Sequence, residues 1–218
     1  MTPGPAPVDY RRRRLITALV VIAVIAVVVI GGALVLGGGG GSDSRATAPR
    51  STAAPSTTTT TTLVPPKVTA VGDSVMLGAA DALAGAIGRD RTTLDAAESR
   101  QFSVGVEILQ GYKDAGELGD EVVVQLGTNG AIDPDDFDRM MQLLKNVRRV
   151  VIVNAFVSRP WEDEVNETLA DGVKRYKNAV LVDWHAAGGE HPEWFYDDGL
   201  HLRSDGAQAY AQLIASKL

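Results

Sequence analysis

Four short aliphatic runs, at residues 68–71, 122–126, 150–153 and 180–182, recur along the chain, and segments of helical period separate them. Runs of three to five largely apolar residues without alternation suit strands buried on both faces, the condition met when helices cover both sides of a parallel sheet. A fifth, weaker candidate surrounds Thr93 and Leu94. Between the runs, Met76, Ala80, Leu83 and Ile87 share one helical stripe, and Gly88 is placed for a left-handed cap. Asp133 before Pro134 is a helix start, and Phe137, Met141, Leu144 and Val147 or Arg148 continue one side of that helix. Ser204 is placed to cap a last helix that turns Ala207, Ala211 and Ile214 inward with Tyr210 alongside. The expected architecture is an α/β fold, a three-layer α/β/α sandwich of flavodoxin-like kind with a five-stranded parallel sheet. In such sheets ligands gather at the carboxyl ends of the strands.

The pattern begins only at Lys67. Residues 15–36 are 22 residues without a charge and with Thr17 as their single polar side chain, close to the roughly 20 needed to span a bilayer. They predict one transmembrane helix, a signal anchor. A cleaved secretory signal is the rival, because Ala46-Thr47-Ala48 resembles a cleavage site, but the apolar core exceeds the roughly 7 to 15 residues of a signal peptide. Arg11, Arg12, Arg13 and Arg14 precede the span and glycines follow it. The positive-inside bias therefore puts residues 1–14 in the cytoplasm as a basic tail and the later residues outside the membrane. Residues 37–66 combine Gly, Ser, Pro, Ala and Thr with few large apolar side chains and predict a disordered linker spanning roughly 30 Å. Thr57 to Thr62 are candidate sugar attachment points or a plain solvated spacer.

Residues 67–218 form the expected catalytic domain. Of the 21 basic and 27 acidic side chains in the chain, residues 1–66 hold six and two, leaving 15 and 25 and a net charge of -10 for this part. Such a domain repels phosphate backbones, so nucleic acid is not an expected partner. Cysteine is absent, which removes disulfides, thiol nucleophiles and Cys-ligated zinc.

Three loops carry chemistry. The first aliphatic run leads directly into Gly72-Asp73-Ser74-Val75, and a serine on a tight strand-to-helix turn presents its hydroxyl outward and its N–H toward a bound oxyanion. The third strand ends in Gly127-Thr128-Asn129, where Asn129 can supply a side-chain N–H to the same oxyanion. Asp197-Asp198-Gly199-Leu200-His201 lies just before the last helix; a histidine works as a base near neutral pH when a carboxylate fixes its tautomer. Each motif alone is also ordinary loop chemistry or a surface pair. Together they supply nucleophile (Ser74), base (His201), orienting acid (Asp198) and oxyanion donors without redundancy.

Val71-Gly72-Asp73-Ser74, Gly127-Thr128-Asn129 and Asp198-Gly199-Leu200-His201 resemble the first, third and fifth blocks of the SGNH, or GDSL-type, hydrolases. Arg100-Gln101, Asn154, Arg159-Pro160-Trp161 with Asn166, and Val182-Asp183-Trp184 resemble, more narrowly, the extracellular SGNH domain of acyltransferase proteins that O-acetylate peptidoglycan. The resemblance implies a covalent acyl-Ser74 intermediate, His201 and Asp198 as its activating pair, and the Ser74 N–H and Asn129 as oxyanion donors. It implies substrate contacts at Arg100, Gln101 and Trp161. One departure is local: the second block normally brings a glycine N–H to the oxyanion hole, and here the stretch reads Glu98-Ser99-Arg100-Gln101, leaving Ser99 as the candidate third donor. The other is global, since one apolar span is no multi-helix acyl carrier and a separate membrane acyl-donor protein becomes an expected partner.

The remaining candidates are structural on balance. His185 could be a second base and His191 caps or packs. Asp183, His185, Asp198 and His201 lack the close His pair of a metal site, and no metal or cofactor is expected. Trp161, Trp184 and Trp194 could line a sugar, though each is singly an ordinary packing residue. The expectation is an acetyl esterase or O-acetyltransferase acting on an acylated cell-envelope glycan or a small acyl ester. The alternative is a glycan-binding or scaffold domain that keeps the fold without turnover.

Overall fold

A computed structural model describes residues 65–218. The expected tail at 1–14, span at 15–36 and all but the last two residues of the linker at 37–66 lie outside the described residues. Among the described residues no helix is long and apolar enough to cross a membrane.

In chain order the elements are β1 (Val68–Gly72), α1 (Ser74–Gly78), α2 (Ala80–Ile87), β2 (Thr92–Ala96), α3 (Phe102–Ala115), β3 (Glu121–Gln125), α4 (Pro134–Leu143), β4 (Arg149–Val153), α5 (Glu162–Lys174), β5 (Ala179–Val182), α6 (Trp184–Gly189) and α7 (Ser204–Ala215). The strands form one sheet in the order β2-β1-β3-β4-β5, and every neighbouring pair is parallel. Helices cover both faces. Val71, Val122, Val124, Val150 and Ile152 turn to the face that packs Phe102, Val106 and Leu109 of α3, Phe137 and Met141 of α4, and Val165 and Leu169 of α5. Val68, Ala70, Val123, Val151 and Val153 turn to the other face, against Val75, Met76, Leu83, Trp184, Tyr210, Ala211 and Ile214. The period-two alternation of each strand thus feeds two apolar layers, and the three-layer α/β/α sandwich with a five-stranded parallel sheet expected from the sequence is the one observed.

Several details depart from the sequence expectations. The stripe from Met76 to Ile87 is two helices, because the Ala79 N–H closes on Val75 and Met76 before the chain restarts at Ala80. Gly88 has φ +118° and ψ 114°, a positive-φ ending that is not left-handed helical. The third strand begins one residue early with Glu121, which is buried because Arg148 reaches it at 2.7 Å. Ser204 does not cap α7. Extended Arg203 occupies that position, and its side chain donates to the Phe195 carbonyl at 2.6 Å and to Asp197 at 3.1 Å instead of capping the helix.

Candidate active site

All five strands point the same way, so the residues following β1, β2, β3, β4 and β5 meet at one end of the sheet. Gly72-Asp73-Ser74, Glu98 to Gln101, Gly127-Thr128-Asn129, Asn154 and Asp183 all occupy that end.

Ser74 is the first residue of α1 and is half-buried. Asp73 caps the helix: its Oδ1 accepts from the Val75 N–H at 3.0 Å. The Met76 N–H is taken by Gln125 Oε1 at 3.2 Å. These bonds leave the Ser74 N–H as the donor of that turn without a partner among the described residues, in the positive field of the helix start. Asp73 is itself fully buried, and burial pushes its carboxyl up from the ordinary value against the opposing pull of the Thr128 and Val75 hydrogen bonds. Its second oxygen, Oδ2, accepts from the Thr128 hydroxyl at 2.5 Å.

Asn129 follows Gly127, whose φ of +128° and whose absent Cβ, which would sit 2.7 Å from Val165, both require glycine. The Asn129 carboxamide donates through Nδ2 to Thr128 Oγ1 at 3.2 Å and to the Arg100 carbonyl at 3.4 Å. Gln101 Nε2 closes on the Asn129 carbonyl at 2.7 Å. Arg100 turns away from solvent: its side chain is 8% exposed and holds Asp95 Oδ1 at 2.6 Å and the Asp95 carbonyl at 2.5 Å. The Arg100 side chain thus bonds within its own segment, while exposed Gln101 joins the β2 loop to the β3 loop. Ser99 stands at the tip of that turn, exposed, with φ +57°, the one non-glycine at positive φ among the described residues. A side chain held in the left-handed region is a strain of about 1 kcal/mol or more, and it lies where the resemblance expects glycine.

Asp198 and His201 are paired within one turn. His201 Nδ1 lies 2.7 Å from Asp198 Oδ2, while Asp198 Oδ1 accepts from the N–H groups of Leu200 and His201 at 3.0 Å each. Gly199 at φ +67° makes the bend. The His201 hydrogen bond, with the two backbone donors, draws the Asp198 carboxyl down to about 2. Both side chains are about half exposed. Leu200 packs against both apolar layers, which the sheet separates, so this loop closes over an end of the sheet. The buried Tyr210 phenol of the following helix is held well above its ordinary value by burial, with the Asp73 charge adding to it. Tyr210 shares one apolar layer with Val75 and Met76 of the helix that Ser74 begins. Ser74 and His201 are not hydrogen-bonded to each other; such contacts often tighten only when substrate is seated.

The other candidates settle elsewhere. Trp184 is 2% exposed and meets Tyr210 edge-on in the core, and Trp194 stacks on it at 5.8 Å from a partly buried position. His191 stacks on Trp194 at 3.9 Å and pairs with Glu193 at 2.8 Å. Trp161 stands at the start of α5, and its indole N–H is buried without a partner among the described residues. His185 Nε2 sits 3.5 Å from Glu162, and its backbone N–H donates to Asn154, whose Nδ2 holds Asp183 at 2.9 Å. Asn166 brackets Ala155 through both ends of its amide. Among the described residues no group of three or more His, Cys, Asp or Glu side chains gathers as metal ligands do.

Comparison with known proteins agrees with this fold. No family model matches the chain. The peptidoglycan O-acetyltransferase OatA of Listeria monocytogenes is 32% identical over 150 residues, 69% of this chain and 24% of that protein. The chain thus spans about a quarter of the curated relative it matches. Among solved structures, the C-terminal catalytic domain of Streptococcus pneumoniae peptidoglycan O-acetyltransferase A, carrying a methylsulfonyl adduct, superposes with a TM-score of 0.58 at 24% identity. That match covers 69% of this chain and 89% of that one. A GDSL-like lipase of Bacteroides thetaiotaomicron superposes with a TM-score of 0.51 at 17% identity, over 69% of this chain and 86% of its own.

Proposed function

We infer that this chain, an SGNH-fold protein homologous to the peptidoglycan O-acetyltransferases, performs O-acyl ester chemistry on a cell-envelope glycan through an acyl-Ser74 intermediate. The single observation that carries the reading is the preassembled Asp198–His201 pair at 2.7 Å on a loop closing over the sheet end. An imidazole whose Nδ1 proton is held by a carboxylate has Nε2 free to accept.

His201 Nε2 takes the Ser74 hydroxyl proton as Oγ attacks the acyl carbonyl. The tetrahedral oxyanion is met by the Ser74 N–H and Asn129 Nδ2, with the Ser99 N–H as third donor. The C–O bond to the leaving alcohol breaks, and His201 returns the proton to that oxygen. A water or a sugar hydroxyl then gives its proton to His201 and takes the acyl group; the acyl C–Oγ bond breaks and His201 returns the proton to Ser74 Oγ, which makes the enzyme an esterase or a transferase. Trp161, beside the Asn154 loop, is the candidate glycan contact. Arg100 and Gln101 serve the site by holding the Ser99 turn against Asn129. We place the span at residues 15–36 in the membrane, the tail at 1–14 inside and the domain from residue 67 outside, with acyl groups supplied by a separate membrane protein.

Two measurements test this. Methylsulfonyl fluoride should label Ser74, and mass spectrometry with an acetyl ester donor and a glycan acceptor present together should detect acetyl-enzyme. An unlabelled Ser74, or acetyl transfer undiminished in Ser74→Ala, overturns the assignment and leaves the glycan-binding alternative.

A further inference from the structure

Both Nδ2 hydrogens of Asn129 are occupied in this state, one on Thr128 Oγ1 at 3.2 Å and one on the Arg100 carbonyl at 3.4 Å. An oxyanion needs one of them. The Arg100 bond is longer and less favourable, so it is the one to exchange, and Thr128 remains as the pivot.

Thr128 Oγ1 accepts from Asn129 while its own proton is given to Asp73 Oδ2 at 2.5 Å. The direction of the chain follows from that: carboxylate accepts from hydroxyl, hydroxyl accepts from amide. With the Asn129 carboxamide flipped, its oxygen would face a hydroxyl oxygen that has no proton to give. Asp73 and Thr128 are 0% and 6% exposed, so neither competes with water for these bonds. The other Asp73 oxygen holds the Val75 N–H in the Ser74 turn.

We propose that the buried Asp73–Thr128 pair is the positioning device of the oxyanion hole, orienting the Asn129 amide and tying it in register with the Ser74 turn through one shared carboxylate. Neither residue touches substrate, and both act through Asn129. The proposal rests on the reading of Asn129 as an oxyanion donor.

The test is a double-mutant cycle in the full-length chain, with kcat and KM measured on 4-nitrophenyl acetate. Asn129→Ala should lower kcat by about 100-fold or more, the scale of one oxyanion donor. Thr128→Val, nearly isosteric, should lower kcat by about tenfold, one hydrogen bond's worth, with KM within about twofold. Thr128→Ser should restore most of it. In the Asn129→Ala background, Thr128→Val should change kcat by less than about twofold, because the group it orients is gone. A Thr128→Val effect that persists in full in that background overturns the positioning role, as does a Thr128→Val enzyme with unchanged kcat. An Asn129→Ala enzyme with unchanged kcat overturns the oxyanion reading itself and the proposal with it. If Thr128→Val loses its cooperative thermal transition, Thr128→Ala takes its place in the cycle.

Discussion

Two aspartates serve this site from opposite environments. Asp73 is buried at the Ser74 turn, bonded to a residue 55 positions away, and its carboxyl is pushed up by burial. Asp198 is half exposed, bonded only to its own loop, and its carboxyl is drawn down to about 2. The same side chain thus shapes backbone in one place and holds charge beside an imidazole in the other. Burial separates the two, because removal from water disfavours a carboxyl's charged form while hydrogen bonds to that form favour it.

The contrast is broken most completely at the residue between them. Ser74→Ala should reduce turnover of a small acetyl ester by about 10⁴-fold or more while the melting temperature stays near that of the parent; retained turnover would show that neither aspartate serves a serine nucleophile. Asp198→Asn should come next, lowering kcat by up to about 10⁴-fold through loss of the correct His201 tautomer, with KM for the same ester as the control.

Acidity sharpens the comparison further, because the two carboxyls bear on stability with opposite signs. Asp198 is depressed from an ordinary 3.8 to about 2, so its contribution is present above about 4 and is lost as pH falls through about 2. Asp73 is raised, so its contribution is complete below the ordinary value and is lost as pH rises through the higher folded value. Melting temperatures measured against pH should therefore be flatter at the acid end for Asp198→Asn, and flatter above the ordinary carboxylate range for Asp73→Asn. Parallel profiles for the two variants would remove the distinction. Ser99→Gly should give the smallest effect, a gain of about 1 kcal/mol in unfolding free energy, read from the urea midpoint, as the left-handed strain is relieved.

What the sequence made legible follows the same division between local and distant. The Asp198–His201 pair spans three residues, so its geometry is written in one loop and could be read there. The Asp73–Thr128 bond joins two loops 55 residues apart, and nothing near either residue announces the other. Among the elements, the aliphatic strands stood out because both of their faces are buried. Helix α3 did not, since its stripe of Phe102, Val106 and Leu109 is interrupted by Gly105, where Leu126 approaches to 2.3 Å of the missing Cβ. Helix α5 has only Val165, Leu169 and Gly172 buried among many charges, too faint a stripe to separate from a solvated segment.

The glycine bend between Asp198 and His201 has a mechanical consequence. Because carboxylate, imidazole and both supporting N–H donors are contained in four consecutive residues, the proposed base is a self-contained cassette. Any breathing of that segment toward or away from Ser74 changes the gap the proton must cross, while the ring stays primed at every distance.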